Sequence, residues 1–431
     1  MKTLDIIAPI KLLPEDFGGE SDFEGLSRSL ISIEDGVIKA VRPWDKEFAP
    51  DDTLRLGLVL PEFLDSHTHL DKTHSWGRAP NVSGTFQEAI ENLHRDKENW
   101  TVEDVYQRSN YGLQCAYGYG TVALRSHVDT GIGWAERSYE ALAQLREEWR
   151  GKVEVQLVSL ASVEDYDSPI GQDLADLPVG YGAKAIGGMP VMNPKLDKQL
   201  DRLFQFAAER KVGVDLHVDE SGDRAADCLR AVALAVMRNE FMGTVVCGHC
   251  CSLAVKPIEK QLEILRLVKE AGIRVVSLPM CNMYLQDRKL EGDAIQTPYW
   301  RGITLAHEFM EQGTPFACAS DNVRDAFYAY GDYDMLEVYR ESLRVGHLDR
   351  RLPESLGVVT SAPARLMDLD TEGFGVIRPG SPARLASYQA ESLSELLSRP
   401  CVERSFWDGE GFSKRDVPAY SEIGDLKTVT S

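Results

Sequence analysis

The chain has 431 residues, with 47 lysines and arginines against 68 aspartates and glutamates, which gives a formal net charge of −21. Such a negative surface repels nucleic acid and anionic membranes, so neither is expected as a partner. The 43% hydrophobic and 27% charged fractions are those of an ordinary globular protein, and without an apolar membrane-spanning or signal segment we expect a cytoplasmic location.

Both ends of the chain show short apolar runs separated by turns. Within residues 1–57, LISIEDGVIKAV places Asp35 and Gly36 between two apolar runs, a typical two-residue hairpin signal. In the tail, GFGVIRPGSPARLASY again predicts turns and short strands. We therefore expect residues 1–57 and 373–431 to combine into one small β-sandwich domain.

Between these ends, residues 58–372 alternate β-rich runs with amphipathic helical patterns. This alternation is typical of βα units and a parallel sheet. Eight runs predict an α/β fold, a closed (β/α)₈ TIM barrel, in which catalytic groups lie where strands end and the following loops begin. The runs are LVLPEFLDSHTH, TVALRSHVD, VEVQLVSLA, AKAIGGMP, VGVDLHVDE, GTVVCGHC, IRVVSLPM and TPFACASDN.

Histidines and one aspartate stand at several of these strand ends. His67 and His69 follow the first run with one residue between them, and because strand side chains alternate faces, both imidazoles point into the barrel mouth. An HxH pair alone is commonly incidental, so it indicates a metal site only if other strands also end in metal-binding residues. His217 ends the fifth run, His249 the sixth and Asp321 the eighth.

These side chains predict a site for one divalent transition metal. The expected ligands are His67, His69, His217 and Asp321. Together they form a full protein set that leaves one position for water, so His249 is assigned to catalysis rather than ligation. Nitrogen-rich sets favour Zn²⁺ or Fe²⁺ over Mg²⁺ and Ca²⁺, and the sequence does not choose between the first two.

Glu220 is the candidate proton shuttle. It lies three residues after His217, just past a strand end, where its carboxyl group can reach a metal-bound water. The alternative is an ordinary surface acid in the loop DESGDR. With Asp321 and His249 taking up and orienting the proton of that water, the expected catalytic residues are Glu220, His249 and Asp321.

The segments SHTHLDK, DLHVDE, CGHC and ASDN, in this order and at these strand ends, resemble the amidohydrolase superfamily and, within it, the cytosine deaminase-like branch. RSHVDT, VSLPMCNMYLQDR and TPYWRGIT are also similar to cytosine deaminase segments, while ASDNVRD followed by YGDYDML is similar to isopropylammelide amidohydrolase. The resemblance implies a distorted (β/α)₈ barrel with a β-sandwich built from both termini. It also implies a mononuclear site. Binuclear members of the superfamily have a metal-bridging lysine at the end of the fourth strand, whereas Lys184 lies at the beginning of the fourth run here.

Departures from the cytosine deaminase pattern concern the substrate. Ser162 stands where those deaminases have a glutamine that hydrogen-bonds the pyrimidine, and Asn322 stands where they have a second aspartate. We therefore expect recognition of a different ring edge. Phe327 and Trp76 could stack on a planar ring, although single aromatics are more often core or rim residues. The candidate substrate-binding residues are Ser162, Asn282, Gln286, Asn322, Phe327 and Trp76.

The expected reaction is hydrolytic deamination of a cytosine-like or related small nitrogen heterocycle. Metal-generated hydroxide attacks an sp² carbon beside a ring nitrogen, and ammonia leaves. The alternative is an amidohydrolase that releases a substituted amine or opens a cyclic amide, as in triazine or hydantoin chemistry. A non-catalytic amidohydrolase-like scaffold is disfavoured, because all four ligands and Glu220 are present. The sequence leaves the number of subunits open, and a homo-oligomer is compatible with it.

Overall fold

The structure is a computed structural model that describes residues 1–51, 53–288 and 296–427. Residues 289–295 of the predicted barrel and residues 428–431 of the predicted terminal domain lie outside the described residues. In chain order the strands are β1 (Lys2–Pro9), β2 (Leu26–Glu34), β3 (Val37–Pro43), β4 (Leu54–Pro61), β5 (Phe63–Thr68), β6 (Thr121–Asp129), β7 (Glu154–Ser162), β8 (Ala185–Met189), β9 (Gly213–Val218), β10 (Val245–His249), β11 (Arg274–Ser277), β12 (Phe316–Cys318), β13 (Leu385–Tyr388), β14 (Arg404–Trp407) and β15 (Phe412–Ser413).

Most of the helices lie between β5 and β13 in the chain. They are α1 (Phe86–Asp96), α2 (Val102–Gly118), α3 (Glu136–Glu148), α4 (Gly171–Gly180), α5 (Leu196–Arg210), α6 (Cys228–Arg238), α7 (Ile258–Glu270), α8 (Pro279–Leu285), α9 (Ala306–Glu311), α10 (Met335–Gly346), α11 (Leu352–Ser355), α12 (Ser361–Leu366) and α13 (Leu393–Ser398). No described helix combines the length and the apolarity needed to cross a membrane.

Strands β5 to β12 form one parallel sheet in sequence order, and this sheet curls into a nearly closed barrel. The two edge strands meet where Thr68 makes a parallel bridge to Asp321. At that seam the Asp321 amide donates to the His67 carbonyl at 2.9 Å, and the Thr68 hydroxyl donates to the Asp321 carbonyl at 2.8 Å. The predicted (β/α)₈ barrel is therefore confirmed.

The surrounding helices pack one apolar stripe against the barrel. In α5 the buried residues Leu196, Leu200, Leu203, Phe204 and Ala207 recur at intervals of three and four, and they face strands β8 and β9. Lys211 caps the helix after Arg210, and from its left-handed backbone its amide donates to the carbonyl of Ala208. Because helices cover the outer face of the barrel, its strands are buried on both faces, and their sequences are nearly continuous apolar runs.

Strands from both chain ends form a second sheet, as the sequence predicted. Its order is β15-β14-β13-β4-β1-β2-β3, so the C-terminal strands join the N-terminal ones through β4. The hairpin between β2 and β3 turns at Asp35 and Gly36, with φ values of 53° and 71°. Positive φ at both positions is typical of a type I′ turn, whose twist matches that of the strands.

Strand β4 continues to Pro61, past the expected domain boundary at residue 57. The run LVLPEFLDSHTH is therefore split between the two sheets. The chain changes sheet at Glu62, whose amide donates to the Arg384 carbonyl at 3.0 Å, while the Phe63 amide donates to the Gly120 carbonyl at 2.9 Å. Division of the chain into two separate domains stays a prediction.

Candidate active site

Four predicted ligands converge at the carboxyl ends of the barrel strands. His67 Nε2 lies 3.1 Å from His217 Nε2, which lies 3.3 Å from His69 Nε2. Asp321 Oδ1 lies 3.2 Å from His69 Nε2 and 3.6 Å from His67 Nε2. Four ligands about 2.0–2.1 Å from a central Zn²⁺ in tetrahedral geometry stand about 3.3 Å from one another. The donor atoms are therefore close enough together to bind one ion.

The backbone around the cluster holds the ligands in place. Asp321 has a φ of 63°, in the left-handed region, and the hydrogen bonds at the barrel seam keep it there. Gly248 on β10 lies against the His67 ring, and a Cβ atom at this position would stand 3.0 Å from His67 Cε1. A side chain there would press on the ring, so glycine permits the close approach of β10 to His67.

The three histidines of the cluster are neutral. Burial is the largest cause that holds the pKa of each imidazole well below its usual value, and nearby basic side chains add to it, with Lys72 acting on His69 and His217. A neutral imidazole keeps a lone pair on one ring nitrogen, which is the form that binds a metal. The chemistry of the donor set thus agrees with its spacing.

Glu220 and His249 lie beside the cluster and share one partner, Asn282 on α8. The Asn282 amide nitrogen is 3.1 Å from Glu220 Oε1 and 3.1 Å from His249 Nδ1, and the Glu220 and His249 atoms are 3.4 Å apart. Burial, and after it the negative charge of Asp321, raises the pKa of Glu220 well above its usual value. This shift favours the protonated form of Glu220, which is the form that can act as an acid.

His249 carries its proton on the ring nitrogen that faces away from Asn282. Burial lowers the pKa of His249 to about 3, so the ring is neutral, and donation from the Asn282 amide to Nδ1 leaves the proton on Nε2. His249 has a φ of 65°, which is uncommon for a residue with a side chain. In this arrangement His249 can donate a hydrogen bond to a nucleophile.

Comparison with known proteins places the chain in a family. A family model described as the amidohydrolase family matches residues 116–395. The pterin deaminase of Rhizobium rhizogenes (strain K84 / ATCC BAA-868) is 42% identical over 412 residues, which cover 94% of this chain and 92% of the relative. This chain belongs to the amidohydrolase family. It is a hydrolase that acts on C–N bonds, and its deaminase-like placement is confirmed.

Two other proteins are similar to this amidohydrolase. The N-isopropylammelide isopropyl amidohydrolase of Pseudomonas sp. (strain ADP) is 24% identical over 355 residues, covering 80% of this chain and 83% of that relative. The structure of 5-methylcytosine deaminase from Klebsiella pneumoniae liganded with 5-fluorocytosine superposes with a TM-score of 0.81 at 24% identity, covering 96% of this chain and 98% of that one. The second likeness shows a shared fold. Amidohydrolases bind a divalent metal, in agreement with the histidine and aspartate cluster.

The amidohydrolase fold brings some of the predicted substrate contacts to the site. Gln286 is buried and donates to the Glu220 carbonyl at 3.2 Å. Asn322 is also buried, but its amide donates to Asp325 at 2.7 Å and its carbonyl faces the Cys281 thiol. The Asn282 amide nitrogen contacts Glu220 and His249, the two predicted catalytic side chains.

The remaining predicted contacts lie at the barrel rim. Phe327 is half-buried and packs edge-on against Phe86, with ring centroids 5.6 Å apart. Trp76 is half-buried, and its amide donates to the Arg324 carbonyl at 2.8 Å. Ser162 ends β7 and is exposed. Within the described residues Ser162 has no hydrogen bond to the metal cluster, and its proposed substrate contact stays a prediction.

Sequence reasoning did not assign two buried residues of the site. The His127 ring lies 3.9 Å from the His67 ring between centroids, and its Nε2 is 3.7 Å from Asp215 Oδ1. Lys72 stands three residues after His69 and is 3% exposed. A usable signal was present in both cases, because each belongs to a motif that carries the family resemblance, RSHVDT and SHTHLDK.

Proposed function

We propose that this amidohydrolase hydrolytically deaminates a small nitrogen heterocycle at a cyclic amidine carbon, with the 2-amino-4-oxopteridine ring of pterin as the first substrate to test. The observation that carries the proposal is the convergence of four donor atoms, with neighbouring atoms 3.1–3.6 Å apart, beside the Glu220 carboxyl group. The identity of 42% with a pterin deaminase supports the choice of substrate.

The ligands proposed for one divalent transition metal are His67, His69, His217 and Asp321. Zn²⁺ and Fe²⁺ both suit three imidazoles and one carboxylate. A metal of this kind supplies Lewis acidity, which lowers the pKa of water to about 7 and makes hydroxide available near neutral pH.

The side chains around the cluster divide the proton transfers between them. Asp321 accepts the proton released by the attacking water, and His249 orients the water through its Nε2 proton. Glu220 donates its proton to the ring nitrogen beside the carbon under attack, then takes up the proton of the newly added hydroxyl group and delivers it to the amino group as it leaves. The proton held by Asp321 then restores the Glu220 acid. In the net reaction the amidine and one water become a ring carbonyl with a ring N–H, and ammonia is released.

A second candidate reaction is the release of a substituted amine. The similarity to N-isopropylammelide isopropyl amidohydrolase favours it, although the identity is only 24%. The same attack and the same acid serve both reactions, so the pocket around the leaving amine decides between them.

The decisive experiment measures both possible amine products. Purified protein is incubated with pterin, N-isopropylammelide and cytosine, while ammonia is measured enzymatically and isopropylamine by mass spectrometry. We expect one ammonia for each pterin consumed, and poor turnover of cytosine because Ser162 cannot replace the paired contacts of a glutamine amide. Release of isopropylamine with no ammonia from pterin would favour the second reaction, and no amine from any substrate would contradict both.

A further inference from the structure

A buried lysine lies next to the proposed ligands and has no part in the mechanism above. Lys72 Nζ donates to Asp129 Oδ1 at 2.6 Å, and Asp129 is the last residue of β6. Burying an ammonium group away from water is unfavourable unless the group is well paired. Lys72 must share this partner, because Lys97 Nζ lies 3.0 Å from the other Asp129 oxygen. The negative charges of Asp71 and Asp325 also stabilise the ammonium group, but among the described residues neither of them accepts a hydrogen bond from it.

The Lys72 ammonium group lies near the Phe327 ring and acts electrostatically on residues of the cluster. Its nitrogen is 5.6 Å from the centre of the Phe327 ring at the rim. Burial first, and the Lys72 charge second, holds the pKa of His69 well below its usual value, and the same charge acts on Glu220. The ammonium group therefore lies within electrostatic reach of both the ligands and the proposed acid.

Lys72 and Glu220 lie on opposite sides of the barrel mouth. Lys72 follows β5 and pairs with the end of β6, whereas Glu220 follows β9, four strands further along an eight-stranded barrel. A planar ring that presents its amidine to Glu220 must extend its far edge toward the Lys72 side. Whatever that edge carries meets the ammonium group.

The ammonium group has donors left over. It carries three N–H bonds, and among the described residues Asp129 is its one hydrogen-bond acceptor. Two N–H bonds are therefore available to a ligand. Two donors at one nitrogen match two neighbouring acceptors, such as a carbonyl oxygen next to a ring nitrogen.

We propose that Lys72 is a specificity-determining residue that donates to an acceptor pair on the edge of the substrate away from the amidine. This inference rests on the proposed function and narrows its substrate class to fused 4-oxo heterocycles with a ring nitrogen beside the oxo group. Pterin has such a pair in O4 and N5. Cytosine, a single ring, has no second-ring nitrogen to offer.

The test compares pterin with 5-deazapterin, in which a C–H group replaces N5 and the reacting ring is unchanged. A hydrogen bond to a charged group contributes about 10- to 100-fold in affinity. Lys72→Met should lower kcat/KM for pterin by about 100-fold and for 5-deazapterin by about tenfold or less, which removes the preference for pterin. The matched control is Lys97→Met, which loses an ion pair with the same Asp129 and should leave the substrate ratio at the wild-type value.

Equilibrium binding separates this inference from the proposed function. Quenching of pterin fluorescence is measured on the Glu220→Gln protein with and without Lys72→Met. If Lys72→Met weakens pterin binding by about tenfold or more and changes 5-deazapterin binding little, Lys72 recognises the O4 and N5 edge of pterin. This result would support the inference even if no ammonia is ever released. Equal losses for both ligands would assign Lys72 a purely structural role and overturn the inference, as would failure of the wild-type protein to distinguish or bind them.

Discussion

Individual residues at the site hold backbone conformations that are costly outside it. Asp321 and His249 have φ values of 63° and 65°, and each such position costs about 1–3 kcal/mol for a residue with a side chain. At Asp321, hydrogen bonds to the His67 carbonyl and from the Thr68 hydroxyl offset the cost. The strained backbone turns the Asp321 carboxylate toward the histidines, where a regular strand would carry it away.

The proton-transfer role of Glu220 can be separated from metal binding. Glu220→Gln preserves shape and the hydrogen bond to Asn282 but cannot release a proton, so we expect kcat to fall by about 10²- to 10⁴-fold. The metal content should stay at the wild-type level, because Glu220 is not among the ligands. Metal analysis and turnover are measured on the same preparation.

His249→Asn serves as the companion variant, since it should also keep the metal while turnover slows. A Glu220→Gln protein that loses its metal would make Glu220 a ligand. Near wild-type kcat in that variant would remove Glu220 from the mechanism.

The ligand assignment predicts the opposite result for His217. His217→Asn removes one of four donors, so metal affinity should weaken by at least about 100-fold, and activity should return only at high metal concentration. Competition with a chromogenic chelator measures the affinity. Wild-type affinity in this variant would show that His217 is not a ligand, and Asp321→Ala tests the carboxylate in the same way.

At the scale of elements, an ion-pair network fixes the loop that follows β5. Arg78 donates to Asp96 at the end of α1 at 2.6 Å and to Asp104 on α2 at 2.5 Å. From α2, Arg108 donates to Asp104 and to the carbonyl groups of Asp71 and Thr73. The two helices therefore hold the segment that carries Lys72.

Removing Arg78 should destabilise the protein strongly. Its side chain is 8% exposed, and Arg78→Met leaves buried carboxylates without their partner, which costs about 3–5 kcal/mol. The control is Arg238→Met, since Arg238 and its partner Asp201 are each 39% exposed and such pairs contribute about 0–1 kcal/mol. Calorimetric unfolding should show a lower Tm for the first variant alone. Equal Tm values would mean that the network adds nothing to stability.

The elements were predictable where local chemistry determines them. Eight apolar runs ending in polar residues predicted the barrel strands, and Asp35-Gly36 predicted the hairpin. The switch between sheets at Glu62 was not predictable, because LVLPEFLDSHTH is apolar throughout and only pairing with distant strands divides it. The role of Lys72 was missed for a similar reason, since its partner Asp129 lies 57 residues away in sequence.

At the scale of the whole molecule, barrel closure assembles the site from distant parts of the chain. His67 and His217 are 150 residues apart in sequence, and Thr68 meets Asp321 across 253 residues. The convergence of the four proposed ligands could be predicted because parallel strands place all their carboxyl ends at one rim of a barrel. Substrate contacts could not, because loop conformation decides whether side chains such as Ser162 and Trp76 reach the centre.

The central claim is that one bound metal supports hydrolytic deamination, and a metal titration tests it most directly. Protein stripped with a chelator is titrated with Zn²⁺ or Fe²⁺ while ammonia release from pterin is followed. We predict no release from the stripped protein, then a linear rise that stops at one metal per chain, because the described residues contain one cluster of four donors, His67, His69, His217 and Asp321. A break at two metals per chain, or ammonia release that does not depend on metal, would contradict the account.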